Sequence, residues 1–95
     1  MDKEERQKVY EALAILSEEC GEVIQAVGKI QRFGLDSAHP ITKETNTEGL
    51  EKELGHIMSA VNRLCEMNVV SSVAIGKSAV NKDDSVKPFL IHCDK

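Results

Sequence analysis

Acidic residues interrupt an amphipathic helical pattern in the stretch Ser17-Glu18-Glu19-Cys20-Gly21-Glu22. On both sides of this stretch, apolar residues recur in steps of three and four without an intervening proline, which is typical of a helix that buries one face. The recurring positions are Val9, Leu13, Leu16, Cys20, Val23, Ile24, Val27 and Ile30. The pattern predicts a helix from about residue 3 to residue 33, which begins near Asp2 and stops at Gly34.

A second acidic stretch, Glu51-Lys52-Glu53-Leu54-Gly55-His56, lies in a segment with the same periodicity. Its apolar positions are Leu50, Leu54, Ile57, Val61 and Leu64. We expect a helix from about residue 47 to residue 67, capped by Asn46 or Thr47. Gly49 and Gly55 each weaken this helix by roughly 1 kcal/mol relative to Ala, which a close approach of another backbone would explain.

The rest of the chain is a connection and a third helical region. Residues 34–46 contain Pro40 and many polar side chains, and a connection of this length between helices is often functional. A third helix is predicted over about residues 71–83, although the β-branched run from Val69 to Ile75 leaves a strand open. We expect Asp83-Asp84-Ser85 to interrupt this helix and the tail Phe89-Leu90-Ile91 to dock on a neighbouring element.

Composition indicates a globular protein with one small domain, residues 1–95. A chain of this length buries a modest core, and its three aromatic residues leave the packing to aliphatic side chains. We therefore expect an all-α, antiparallel helical bundle that assembles as a dimer or a higher oligomer. The net charge of −4 argues against a nucleic-acid-binding surface, and no apolar run approaches the ~20 residues of a membrane span.

The three cysteines favour a cytoplasmic protein with reduced thiols. Cys20, Cys65 and Cys93 are odd in number and lack CxxC spacing, and no signal-like apolar run follows the charged N-terminus. We expect Cys20 and Cys65 to pack as small core residues. The pair His92-Cys93 has no spaced partner that would make it a metal or nucleophile site.

The acidic side chains of the first helix share one flank of its apolar stripe. At 100° per residue, Glu19 lies roughly 60° and Glu22 roughly 120° around the helix from Leu16, both on the same side. Glu18 points almost directly away, into solvent. The spacing thus separates one outward glutamate from a pair that borders the core.

The second helix repeats this arrangement. Glu53 and His56 lie roughly 40° and 100° from Ile57, again on one flank, and Glu51 points the other way. If the two helices pack antiparallel, the two pairs of side chains can converge. Carboxylate oxygens favour Mg²⁺ or Mn²⁺, and the imidazole shifts the preference toward Mn²⁺ or Zn²⁺. On spacing alone, an equally good interpretation is that these long side chains reach from the flank into water.

These residues also match a family motif. The segment Glu18-Glu19-Cys20-Gly21-Glu22, followed about thirty residues later by Glu53-Leu54-Gly55-His56, resembles the signature EExxE, spacer, ExxD of the MazG-like, all-α nucleoside triphosphate pyrophosphohydrolases. Residues 24–34, ending in Arg32-Phe33-Gly34, and residues 46–55 look like the corresponding parts of a branch common in phages and bacteria. The resemblance covers roughly residues 13–66.

The resemblance implies a helical, dimeric or tetrameric enzyme that uses Mg²⁺ to hydrolyse a nucleoside triphosphate to the monophosphate and pyrophosphate. Three metal ligands are implied by position, Glu19, Glu22 and Glu53, with His56 at the fourth position. Glu18 would be a ligand or a base that orients water. The implied phosphate-binding residues are Lys29, Arg32 and Lys82. Lys29 and Arg32 also suit the negative end of a helix dipole, which is their ordinary structural role.

The chain departs from the motif at His56, where the signature has Asp. A neutral imidazole supplies one nitrogen and no charge, so Mg²⁺ should bind less tightly. A less favoured interpretation is that His56 is a half-buried histidine hydrogen-bonded to a glutamate. The alternative function is a helical binding or oligomerisation module that kept the fold and lost turnover. His39, in the connection before Pro40, is interpreted as a solvated loop residue rather than a catalytic base.

Overall fold

A computed structural model describes residues 1–92. It contains three helices, α1 (Lys3–Phe33), α2 (Asn46–Glu66) and α3 (Ser72–Val86), followed by a 3₁₀ turn at Lys87–Phe89. These residues include no strand, only one isolated antiparallel bridge between Ala38 and Thr45. The all-α prediction is therefore confirmed.

The ends of α1 are the predicted ones. Asp2 caps the N-terminus by accepting a 2.8 Å hydrogen bond from the Glu5 backbone N–H. The helix stops at Gly34, whose φ of 94° suits glycine and whose N–H donates to the Ile30 carbonyl at 2.8 Å. Local hydrogen bonds and a glycine with positive φ thus mark both ends of α1.

The start of α2 differs from the prediction. Thr45 is the cap: its hydroxyl accepts from the Glu48 backbone N–H, and the Glu48 side chain accepts from the Thr45 backbone N–H. The predicted caps, Asn46 and Thr47, lie inside the helix and bind the preceding loop instead. Asn46 Nδ2 donates to the Gly34 carbonyl at 2.9 Å, and Thr47 Oγ1 donates to the Leu35 carbonyl at 3.0 Å.

The helices α1 and α2 form an antiparallel hairpin. The bond between Asn46 and Gly34 joins the start of α2 to the end of α1, while Glu19 meets His56 near the middle of the hairpin. The buried core lies toward the start of α1 and the end of α2, and consists of Val9, Ala12, Ala60 and Leu64. The two alanines allow close approach of the helix backbones.

The end of α2 is a Schellman motif. Asn68 has the left-handed φ of 58°, its N–H donates to the Cys65 carbonyl, and the Val69 N–H donates to the Leu64 carbonyl, both at 3.0 Å. Ser71 then caps α3 by accepting from the Ala74 N–H at 3.2 Å. The direction in which α3 leaves the hairpin is therefore set by five residues of local structure.

The helix α3 lies apart from the hairpin and makes its substantial contacts with the 3₁₀ turn alone, among the elements described. Every residue from 71 to 85 is exposed. Asp83 and Asp84 do not interrupt the helix as predicted, and Lys87 Nζ lies within 3.6 Å of both carboxylates at its last turn.

Two packing predictions are wrong for the single chain. The side chains of Phe89 and Ile91 are exposed, so the tail does not dock on the hairpin. Cys20 is exposed and Cys65 half-buried, because α2 covers a neighbouring stripe of α1 instead. Cys93 lies outside the described residues.

The molecule is flat and less compact than a typical domain of its length. Its principal dimensions are 47 × 39 × 15 Å, and its radius of gyration is 16.8 Å, whereas a compact domain of this length has about 12 Å.

None of the helices in residues 1–92 combines the length and the apolar character needed to cross a membrane.

Candidate metal centre and the adjoining cavity

Three predicted ligands from two helices converge at the middle of the hairpin. Glu19 comes from α1, and Glu53 and His56, one turn apart, come from α2. Each offers a ligand atom, and all three atoms lie within 4.8 Å of one another. His56 Nδ1 is 3.3 Å from Glu19 Oε2 and 3.3 Å from Glu53 Oε2. We refer to these three residues, which form a candidate cation site, as the metal centre.

The hydrogen bonding of the metal centre is incomplete. His56 Nδ1 has hydrogen-bond geometry toward Glu53 only, and since a carboxylate oxygen can only accept, Nδ1 carries the hydrogen. His56 Nδ1 lies close enough to Glu19 Oε2 for an ion pair, but the direction of this contact is not that of a hydrogen bond. Glu19 Oε2 is consequently buried without a hydrogen-bond donor among the described residues.

A divalent cation fits this donor set. The Glu19 and Glu53 side chains are 21% and 16% exposed, and the His56 side chain is 50% exposed, so the centre opens to solvent on the His56 side. A buried carboxylate oxygen without a partner is unfavourable, and a bound cation would supply that partner. Two carboxylate oxygens and one imidazole nitrogen suit Mn²⁺ or Zn²⁺ better than Mg²⁺.

The other two glutamates of the first motif lie outside the three-residue group. Glu18 is exposed on the outer side of α1, as its position on the helix predicts. Glu22 is also exposed and lies in the wall of an adjacent cavity. The structure thus brings together three of the four residues predicted to bind a metal.

The adjacent cavity has a volume of about 420 Å³, within the range of small-molecule sites. It lies between the C-terminal part of α1, the loop 34–45 and the first turns of α2. Glu53 belongs both to this cavity and to the metal centre, so the two are continuous. Its charged lining includes Glu22, Glu44, Lys29, Arg32 and Lys52.

The loop wall of the cavity is built by backbone hydrogen bonds. The His39 N–H donates to the Glu44 carbonyl at 2.8 Å, the Lys43 N–H to the His39 carbonyl at 3.0 Å, and the Asn46 N–H to the Ser37 carbonyl at 2.9 Å. Lys52 Nζ lies 3.3 Å from Glu44 Oε2 and joins this loop to α2. These contacts within the chain hold the loop wall of the cavity in place.

Sequence reasoning found part of this cavity and missed the rest. Lys29 and Arg32 line it as predicted, whereas Lys82 lies on α3, away from the cavity of its own chain. The loop residues Ser37 and Thr42, and Asn46 at the start of α2, were not predicted as site residues. The signal that could have indicated them was the length of the connection, which is unusual between two packed helices.

No protein-family model, no curated protein and no solved structure matches this chain.

Proposed function

We propose that the protein is a divalent-metal-dependent nucleoside triphosphate pyrophosphohydrolase. The observation that carries the proposal is the convergence of Glu19, Glu53 and His56 at one end of a cavity that also contains Lys29 and Arg32. A site of this kind combines ligands for a cation with cationic side chains for phosphate oxygens. It agrees with the function that the sequence motif implies.

In the proposed reaction, water attacks the α-phosphorus and the bond to the oxygen bridging the α and β phosphates breaks. The products are the nucleoside monophosphate and pyrophosphate. Mg²⁺ or Mn²⁺ at this centre would neutralise phosphate charge and favour the attack by water. Glu19, Glu53 and His56 would hold the cation, and Glu22, one turn along the same flank of α1, is a further proposed ligand. Glu18 remains the proposed base from the motif.

The cationic residues would hold the phosphates. Lys29 and Arg32 line the cavity and are exposed, so their charges are available to a ligand. Lys52 is paired with Glu44 at 3.3 Å, which makes it a weaker candidate. Lys82 could reach a phosphate only from a second copy of the chain, because α3 is remote from the cavity of its own chain.

Assembly with a second copy forms part of the proposal. Only four residues of the described chain are buried apolar ones, and domains are normally built from at least two packed layers. A second hairpin laid on the first would supply the missing layer and produce a four-helix arrangement. Cleavage of unwanted nucleotides in the cytoplasm is the physiological role that fits such an enzyme.

A second candidate function is a module without turnover. The observation that favours it is His56 itself, whose Nδ1 lies 3.3 Å from both carboxylates and partly satisfies them without a cation. In that case the fold would serve in binding or oligomerisation.

One experiment separates the two functions. The pure protein is incubated with canonical and modified nucleoside triphosphates and Mg²⁺ or Mn²⁺, and pyrophosphate release is measured. Activity that Glu19→Ala and Glu53→Ala abolish, and that the outward-facing control Glu51→Ala retains, supports the enzyme. Absence of turnover with every metal, together with turnover in His56→Asp, would identify a degenerate site.

A further inference from the structure

The cavity extends from the metal centre along α1 toward the loop. At a rise of 1.5 Å per residue, Lys29 lies about 15 Å and Phe33 about 21 Å beyond Glu19 along the helix axis. Glu22, Lys29 and Phe33 all line the cavity. These distances leave room for a nucleotide whose α-phosphate lies nearest the metal centre and whose nucleoside lies nearer Phe33.

The far end of the cavity carries a stacking surface. The Phe33 ring is 64% exposed, and the Arg32 guanidinium lies 5.4 Å from its centroid. An aromatic ring supported by a guanidinium plane is a common platform for nucleobases, because every base has a π-face. Phe33 is exposed and lines the cavity, so its ring is accessible to a ligand there.

His39 presents a hydrogen-bond donor of fixed identity beside this surface. Its Nδ1 accepts hydrogen bonds from the backbone N–H groups of Ile41 at 3.1 Å and Thr42 at 3.3 Å. A ring nitrogen that accepts carries no hydrogen, so the neutral ring carries its hydrogen on Nε2. His39 lines the cavity, and Nε2–H is the group that remains for a ligand.

We propose that the loop end of the cavity binds the nucleoside half of a nucleotide, and that His39 and Phe33 determine its specificity. The base stacks on Phe33, and His39 Nε2–H donates to a carbonyl oxygen or an unprotonated ring nitrogen of the base. This assignment rests on the proposed function, since it takes the α-phosphate to lie at the metal-centre end of the cavity.

The test compares a nucleotide with a ligand that has no base. Binding of nucleoside triphosphates with a non-hydrolysable α,β-methylene bridge, and of inorganic triphosphate, is measured by calorimetry with Mn²⁺. His39→Asn keeps an oxygen able to accept from the same backbone N–H groups but lacks the Nε2–H donor. Phe33→Leu keeps apolar volume but cannot stack. We expect each variant to weaken nucleotide binding by about tenfold and to leave triphosphate binding within about twofold.

Each other outcome overturns a defined part of the argument. If the wild-type chain binds the nucleotide no more tightly than triphosphate, the loop assignment is wrong and the proposed function stands. If both variants weaken the two ligands equally while their melting temperatures are unchanged, the loop end holds phosphate rather than base. If neither ligand binds the wild-type chain with Mn²⁺, the proposed function and the loop assignment both fail.

Discussion

Among the described residues, Glu19 has the least complete hydrogen bonding of a buried side-chain oxygen. Its Oε2 is buried, lacks a hydrogen-bond donor among the described residues, and shares its surroundings with the carboxylate of Glu53. Two nearby carboxylates repel each other, and His56 can donate one hydrogen from Nδ1 to only one of them in good geometry. Glu19 therefore does not favour the stability of the metal-free fold, but its carboxylate is suitable for binding a cation.

The first prediction follows from this conflict. Glu19→Gln removes one charge and should leave the metal-free protein as stable as, or more stable than, the wild type, while its affinity for Mn²⁺ falls by more than about tenfold. Thermal unfolding with and without Mn²⁺ measures both effects, because a ligand that binds only the folded state raises the melting temperature. Glu11→Gln, exposed on the same helix, is the matched control. A large loss of stability in the metal-free Glu19→Gln protein would contradict this interpretation.

At this scale the sequence predicted most, but not all, of the side chains that come together. The helical angles of Glu19, Glu53 and His56 put them on facing flanks, and an antiparallel hairpin was enough to bring them together. Glu22 did not join them, because at roughly 120° from Leu16 it lies beyond the width that α2 covers. Nothing in the sequence indicated that His39 would fold back onto its own loop, since that depends on the backbone at Ile41 and Thr42.

Among the elements, α2 has the most strongly specified start. Thr45 and Glu48 form a reciprocal capping box, and hydrogen bonds from the backbone and the hydroxyl of Thr45 lower the pKa of Glu48 from its ordinary value of 4.5. A carboxyl group with a lowered pKa in the folded state stabilises the fold while it is ionised. The contribution is present above pH 4.5 and is lost as the pH falls through the folded-state pKa.

The second prediction uses this titration. Glu48→Gln keeps an oxygen that can accept from Thr45 but cannot ionise. We expect the wild type to be the more stable of the two at neutral pH and the difference to disappear in acid, below the lowered folded-state pKa of Glu48. Urea midpoints of both proteins at the two pH values measure the effect. A difference that persists unchanged in acid would show that the charge of Glu48 contributes nothing.

The third prediction concerns a glycine within α2. A Cβ added at Gly55 would meet no atom within 4 Å, so Gly55→Ala should stabilise the single chain by about 1 kcal/mol through helix propensity. At Gly49 an added Cβ would lie 3.2 Å from Glu44 Oε1, the mobile end of a side chain, so Gly49→Ala should stabilise less. Chemical denaturation of both variants checks the order. Destabilisation by Gly55→Ala would place a neighbouring molecule against that face.

Element boundaries were predictable where one local signal dominated. The periodicity and Gly34 were enough for α1, whereas three adjacent residues able to cap preceded α2. Thr45 was distinguished only by Glu48 three residues later, the pattern of a capping box, and this signal was overlooked. The exposure of α3 could not be read from its sequence, because apolar positions such as Val73 and Val80 indicate a surface to be covered but not the molecule that covers it.

For the whole molecule, the hairpin has two unlike sides. Ile24 and Met58 are 72% and 66% exposed, and each lies roughly 140° around its helix from the nearest carboxylate ligand, Glu19 and Glu53 respectively. In an antiparallel pair these two apolar positions lie on the same side, opposite the metal centre. A helix pair about 30 Å long and 20 Å wide presents an area near that of a standard interface on each partner.

The fourth prediction is that this apolar side joins two copies. The wild-type chain should behave as a dimer or a higher oligomer in light scattering coupled to gel filtration, and Ile24→Lys with Met58→Lys should lower the oligomeric state. Lys8→Glu, a polar exchange at an exposed position, is the control for charge. A monomeric wild type that unfolds cooperatively would contradict the prediction.

The Schellman motif at Asn68 has a consequence for how the proposed assemblies change as the sequence evolves. Local geometry sets the direction of α3, so the angle between α3 and the hairpin depends on five residues and not on contacts with another chain. Asn68→Gly keeps the angle, because glycine also adopts a left-handed φ, whereas a β-branched residue at position 68 would redirect α3. A new direction of α3 changes which neighbouring chain α3 can contact, while the metal centre keeps its geometry. Substitutions in this chain can therefore change the number of copies in the proposed assembly without changing the chemistry of the metal centre.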